Sequence, residues 1–206
     1  MRIFADIQLK LQILLLSMMI LSSCSLLAPV KLESETSYLL NTVPYPIKAR
    51  QSQSITLFVS PPETVPAYNT TKMAYTVIPY QIAYFTKNRW AETPSQMLQP
   101  LIVQTLQNTG YFHAIVIPPF AGHYHYVLSS QILLLQQNFT YRRTLLQFTL
   151  RVQLSSIATG QVIATKQFSV SEPIPQKTPY GGVIAANRAT EKILRQLAMF
   201  CLGHIH

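Results

Sequence analysis

A period of two constrains this chain more than any other feature. Leu146, Phe148, Leu150, Val152 and Leu154 alternate with Gln147, Thr149, Arg151 and Gln153, which puts five apolar side chains on one face of a strand and the polar ones on the other. Thr159-Gly160 then turns the chain into a partner strand over 161–170. A lone hairpin with one apolar face is marginal in water, so another element must cover that face. The sequence supplies one in the helix predicted over 182–202, whose Ala186, Ala189, Ile193, Leu197 and Cys201 share a side.

The rest of the chain is punctuated in the same way. Residues 37–40 read as a short first strand, and 54–60 alternate as a half-buried strand ended by Pro61-Pro62. Residues 73–78 and 81–85 flank Pro79-Tyr80 as the arms of a hairpin. Thr93 then offers an N-cap, Pro94 the first helical position and Gln96 the third member of a capping box. That helix should run to Asn108 or Thr109, with Met97, Leu98, Leu101, Ile102 and Leu106 on its apolar face and Gly110 as its stop. Pro100 cannot donate to the Gln96 carbonyl, which predicts either a bend there or a late start. Strands follow over 111–117, closed by Pro118-Pro119, and over 124–136. The sum is an α/β (α+β) sandwich with a mostly antiparallel sheet and two main helices packed on one face. No internal repeat and no second domain is visible.

At the amino end, Arg2 and Lys10 precede an apolar run over 11–21, and Leu21-Ser22-Ser23-Cys24 reads as a lipobox. The expected division is a lipoprotein signal peptide over 1–23, a tether over 24–34 and a folded domain over 35–202. Eleven apolar residues rise only about 16 Å as a helix, short of a ~30 Å hydrocarbon core, so a spanning helix is not expected. An acylated Cys24 anchors the chain without protein help. The residue after it is Ser25 rather than Asp, which favours the outer membrane, facing the periplasm. No cofactor is expected beyond the acyl lipid, palmitate or a similar chain, on Cys24.

Removing 1–23 takes Arg2, Lys10 and Asp6 from the 16 basic and 7 acidic side chains, leaving 14 and 6. Export removes nucleic acid as a partner for this basic excess and leaves anionic lipid, an acidic protein or plain solubility. Only Arg142 and Arg143 are adjacent. Cys201 is the one cysteine besides Cys24, so no intrachain disulfide is available to the processed chain. Asn69 and Asn138 begin glycosylation-like triplets, which carry no meaning in a bacterial periplasm.

The hairpin at 73–85, then Trp90-Ala91-Glu92, Pro94 with its helix, and Gly110-Tyr111-Phe112 together resemble the ABC-type transport auxiliary lipoprotein family, which includes PqiC-like proteins. Tyr38-Leu39-Leu40, the turn at Ala158-Thr159-Gly160 and the helix near Ala185-Ala186-Asn187 match in order. The departures are Pro100 and the basic excess. The resemblance implies a TolB-amino-domain-like fold and a non-enzymatic component of an MCE-type lipid transport system. Its implied task is to hold the transport complex at the outer membrane through an MCE-domain partner.

Candidate chemistry is sparse. Glu33, Glu35, Glu63, Glu92, Glu172 and Glu191 are the whole carboxylate inventory after residue 23, with no Asp to orient a histidine or bind a cation, so no catalytic residue is assigned. His123 and His125 would share a strand face, and His204 and His206 sit near Cys201, but neither pair has the further ligands a zinc site needs, and no metal is expected. Trp90, Ala91, Glu92, Pro94 and Gly110 read as structural, with Trp90 a core anchor between sheet and helix. Tyr38, Tyr75 and Tyr84 form the candidate contact surface, for a partner protein or a second copy in a homo-oligomer. A carrier that encloses a lipid, with aromatic residues lining its cleft, and a purely structural envelope lipoprotein are the alternatives.

Overall fold

The computed structural model describes residues 2–21, 34–49, 51–140 and 142–205. It divides into two compact units, Met1–Ser34 and Glu35–His206. The first contains helix α1 (Arg2–Leu21). Arg2, Asp6 and Lys10 fall in its first half, leaving only the second half apolar, and no helix among the described residues is long and apolar enough to cross a membrane.

The second unit carries β1 (Thr36–Tyr38), β2 (Gln53–Val59), β3 (Glu63–Thr64), β4 (Lys72–Thr76), β5 (Ala83–Trp90), α2 (Pro94–Gln107), β6 (Phe112–Val116), β7 (Tyr126–Asn138), β8 (Leu145–Ser156), β9 (Val162–Pro173) and α3 (Pro179–His204). Strand β7 is its spine. Along one edge it pairs antiparallel with β8 from Tyr126↔Ser156 to Asn138↔Leu145, and β8 pairs antiparallel with β9. Along the other edge β7 receives β2, β3 and β4 in succession, all parallel. Strand β6 extends the first of these wings beside β2, and β5 and β1 extend the last beside β4. Five of the described pairs are parallel, although the two longest ladders are antiparallel. The sheet is therefore mixed, with its antiparallel half where the period-two pattern is cleanest.

Helices α2 and α3 touch each other, and α3 lies on β8 and β9. Leu146, Phe148, Leu150, Val152 and Leu154 are all buried beneath that layer, while Arg151 and Gln153 are exposed on the other face. Small residues let α3 come close: Ala185, Ala186, Ala189, Ala198 and Cys201 have no exposed surface, and Ile193, Leu194 and Leu197 fill the gaps between them. Every buried residue of this core lies between Leu40 and Ile205, so the unit Glu35–His206 holds its own core.

Most elements keep the expected place and type, with three differences. Helix α2 starts at Pro94 and is unbroken through Pro100, because Pro100 is on the exposed side, where water can satisfy the carbonyl its ring leaves free. The hairpin arms end earlier than the apolar pattern implies: Tyr75↔Ala83 is the last pair, and Val77, Ile78 and Ile82 lie in the loop. Strand β3 and the 3-10 turn Pro66–Tyr68 are too short to carry a periodic signal.

One close approach sets how α3 begins. A Cβ on Gly182 would sit 2.0 Å from Cδ of Gln137, and Gln137 is itself buried, with its amide donating to the Pro179 carbonyl at 3.4 Å. The Gly182→Ala chain is expected to lose about 1–3 kcal/mol by overpacking, measured by urea unfolding. Adding Gln137→Ala should recover part of that loss by removing the clash; a double variant no more stable than Gly182→Ala would disprove this account.

Candidate functional site

Ser22, Ser23 and Cys24 lie outside the described residues, and Leu21 is the last residue of α1. The Trp90 to Gly110 group is architectural in place. Trp90 ends β5 with its ring buried, and its backbone N–H donates to the Thr71 carbonyl at 2.7 Å. Ala91 N–H donates to Tyr38 at 2.8 Å, Glu92 is exposed, and Oε1 of Gln96 accepts from the Thr93 N–H at 3.0 Å and from its hydroxyl at 2.8 Å. Pro94 is buried at the head of α2. Gly110 follows the helix at φ +66°, the left-handed stop that a Cβ would strain.

The three tyrosines do not form one patch. Tyr84 lies opposite Ala74 and Tyr75 opposite Ala83, so their rings leave the sheet on opposite faces. Tyr75 packs on Phe85 and Phe139, with ring centroids 4.5 and 6.2 Å apart. The Tyr84 hydroxyl donates to the Ala67 carbonyl at 2.9 Å. Tyr38 donates to Oδ1 of Asn88 at 3.2 Å, and its ring centroid is 5.9 Å from that of Tyr180. Beside Tyr84, Tyr68 donates to Oε1 of Gln136 at 2.9 Å, and burial, with a smaller contribution from the Tyr84 phenol, pushes the Tyr68 hydroxyl above its ordinary pKa.

The histidines are not assembled into a site. His125 Nδ1 accepts from the Thr56 N–H at 3.0 Å, His204 Nδ1 donates to the Phe200 carbonyl at 2.8 Å, and His206 lies outside the described residues. Among the described residues no group of three or more His, Cys, Asp or Glu side chains could hold a metal. Among the described residues Glu35 pairs with Arg89, and the buried Glu172 with Lys192.

What the sheet does bring together is one end of the molecule. Register puts Thr76, Asn138, Leu145 and Pro173 in one row across β4, β7, β8 and β9, so the loops 77–82, 139–144 and 174–178 all emerge there. Asn138 ties its loop down: Oδ1 accepts from the Thr140 N–H and hydroxyl at 2.9 and 2.6 Å, and Nδ2 donates to Gln147 at 2.9 Å. In the first loop, Gln81 N–H donates to the Ile78 carbonyl at 3.2 Å, with Pro79 and Tyr80 between them. Tyr80 stands at φ +66°, a turn position where glycine is usual, and its side chain is fully exposed. Holding a tyrosine there costs about 1–3 kcal/mol with no packing in return. Val77, Ile78 and Ile82 are also exposed, at 50%, 59% and 38%. A cleft of about 500 Å³ runs under this tip between Thr76, Tyr80, Ile82, Gln136, Asn138 and Thr140. Arg142, Arg143 and Lys177 are exposed on the neighbouring loops, Lys177 with its ammonium 5.6 Å from the Phe139 ring centroid.

Two other clefts, of about 400 and 510 Å³, are open and carry mixed linings, with Ser129, Gln131, Arg151 and Gln153 in the first and Gln51 and Gln53 in the second. Sequence reasoning met Asn187 only as part of the segment opening the last helix and gave it no role. From α3 its side chain accepts from Asn41 N–H and the Thr42 hydroxyl and donates to the Leu39 carbonyl, all within 3.1 Å, clamping the irregular stretch after β1. No periodic pattern marks such an asparagine. Tyr80 was visible as a turn residue and Arg142-Arg143 as a basic pair, but only the strand register shows that they share one end.

The model of a family described as the ABC-type transport auxiliary lipoprotein component matches residues 38–198. No curated protein matches the chain. Among solved structures, the fold is similar to that of a Xanthomonas campestris protein of the DUF330 family, at TM-score 0.75 and 17% identity over 82% of this chain and 96% of that one. It is also similar to an uncharacterized protein at TM-score 0.64 and 14% identity, over 82% and 99%, and to a hypothetical protein from Chlamydia trachomatis at 0.51 and 9%, over 74% and 98%. At these identities the likeness establishes the fold.

Burial pushes the Cys201 thiol up to about 12, which holds it as the unreactive thiol. Processed protein purified from membranes should show no thiol reactive with Ellman's reagent while folded, and one per chain in denaturant. Two per chain would show Cys24 unmodified; rapid reaction of the folded form would contradict the burial of Cys201.

Proposed function

The chain belongs to the family of ABC-type transport auxiliary lipoprotein components, and from that membership we propose that it is the outer-membrane element of an MCE-type lipid transport system. In this proposal acylated Cys24 anchors it in the inner leaflet of that membrane, and the domain Glu35–His206 docks an MCE-domain protein from the periplasm by contact rather than catalysis. The observation that carries the proposal is the order along the chain: a lipobox at 21–24 followed by a family domain over 38–198. The mixed linings of the clefts favour docking over enclosing an acyl chain, which calls for a largely apolar cavity.

Affinity purification from crosslinked envelopes, with mass spectrometry of proteins and lipids together, tests this. The native chain should recover an MCE-domain protein, and Cys24→Ala should recover several-fold less of it. Copurified phospholipid without protein would favour a carrier, and recovery of neither would overturn the transport role.

A further inference from the structure

We infer that the end of the sheet carrying the β4–β5 tip is a second, noncovalent membrane contact, which seats the domain on an anionic lipid surface. Three independent features converge there. The first is charge: the loops 77–82, 139–144 and 174–178 contain Arg142, Arg143 and Lys177 and no carboxylate, and all three cations are exposed. The second is the apolar tip, where Val77, Ile78, Tyr80 and Ile82 stand clear of the core. Tyr80 is the sharpest of these, because a strained, fully exposed tyrosine with no packing of its own suits the headgroup level, where an amphipathic ring buries its body and keeps its hydroxyl wet.

The third feature is where the chain enters. Strand β1 runs parallel to β5 with Thr36 beside Asn88, so the chain arrives at Thr36 from the side on which β5 begins, at Ala83, next to the tip. Residue 83 is five before Asn88, about 17 Å along the strand. The 11 residues from Ser25 to Glu35 span at most about 40 Å. An anchor at Cys24 therefore keeps this end of the domain within reach of the lipid surface. Only this third feature rests on the anchoring proposed above.

The opposite end of the sheet discriminates. It too exposes apolar side chains, Ile117, Phe120, Ile157 and Val162, but the loops 117–125 and 157–161 that carry most of them hold no Lys or Arg, and Lys48 and Arg50 belong to the separate stretch of chain that leads into β2. Charge, not apolarity alone, selects the end that meets anionic headgroups. Each basic residue at such a surface contributes about five-fold in partitioning, within a Debye length and therefore sensitive to salt.

The test uses the chain from Ser25 onward without an acyl group, which retains the whole core, so that its result does not depend on lipidation or on any protein partner. Its cosedimentation with vesicles of phosphatidylethanolamine and phosphatidylglycerol is compared with that on phosphatidylcholine vesicles. Binding is expected on the anionic vesicles alone and should be released by about 0.5 M salt. Arg142→Gln with Arg143→Gln should lower the partition roughly 25-fold. Tyr80→Asn, which keeps a residue tolerant of the left-handed conformation, should lower it roughly ten-fold without lowering Tm. The inference is overturned by absence of native binding at millimolar lipid, by equal binding to both vesicle types, or by folded variants that bind like the native chain. Variants that bind vesicles normally but no longer recover the MCE-domain protein would reassign this end to a protein partner.

Discussion

The ladder between β7 and β8 is the interaction on which the rest of the domain depends. It sets the face on which Leu146, Phe148, Leu150, Val152 and Leu154 are buried, and a slip of one residue would turn that set to water. β7 then uses its other edge to align β2, β3 and β4, so the register of a single strand places both wings. The cover of α3 follows from the same face. An alanine-rich side on the helix allows an approach that larger side chains would forbid, and Gly182 against Gln137 marks where that approach is tightest.

Legibility in the sequence tracked how local each signal is. The β8–β9 hairpin and both core helices were readable because a period and a cap lie within a dozen residues of each other. Strand β7 was harder, for a physical reason. A bulge at Leu133 shifts the register between Ile132 and Leu134, so the buried residues change from Leu128, Ser130 and Ile132 to Leu135 and Gln137. Alternation read straight through that bulge puts half the strand on the wrong face. The parallel wings were not readable at all, since Leu57 beside Tyr126 and Ala74 beside Gln136 are long-range pairings with no turn between them to announce the contact.

The candidate site divides along the same line. The lipobox reading rests on a run of four residues and is legible without any fold. Tyr38, Tyr75 and Tyr84 were chosen by residue type, and the structure gives their hydroxyls or rings internal partners on different faces. Tyr80 instead reveals itself through backbone conformation, and the adjacent arginines through the company that register gives them. Overextending the hairpin arms concealed the tip, because Val77, Ile78 and Ile82 satisfy a strand pattern while lying beyond the last pair, Tyr75↔Ala83.

Anchoring and orienting a domain are separate physical problems, and in the two proposals above they fall to different parts of this chain. A lipid on Cys24 would confine the domain near a bilayer without by itself fixing the angle at which the domain meets it. Fixing an angle requires contacts on the domain itself, at some distance from the attachment point. The row Thr76, Asn138, Leu145 and Pro173 spans four adjacent strands, about 14 Å at 4.8 Å between neighbours. Tyr80 stands beyond β4 at one side of that width, and Arg142 and Arg143 lie on the loop between β7 and β8, with Lys177 against the Phe139 ring, so contacts made together at these points would resist rotation in a way that one insertion point cannot. With such an anchor a weak surface at this end would be enough: the tether would supply the local concentration, and the loops would need to supply only the direction.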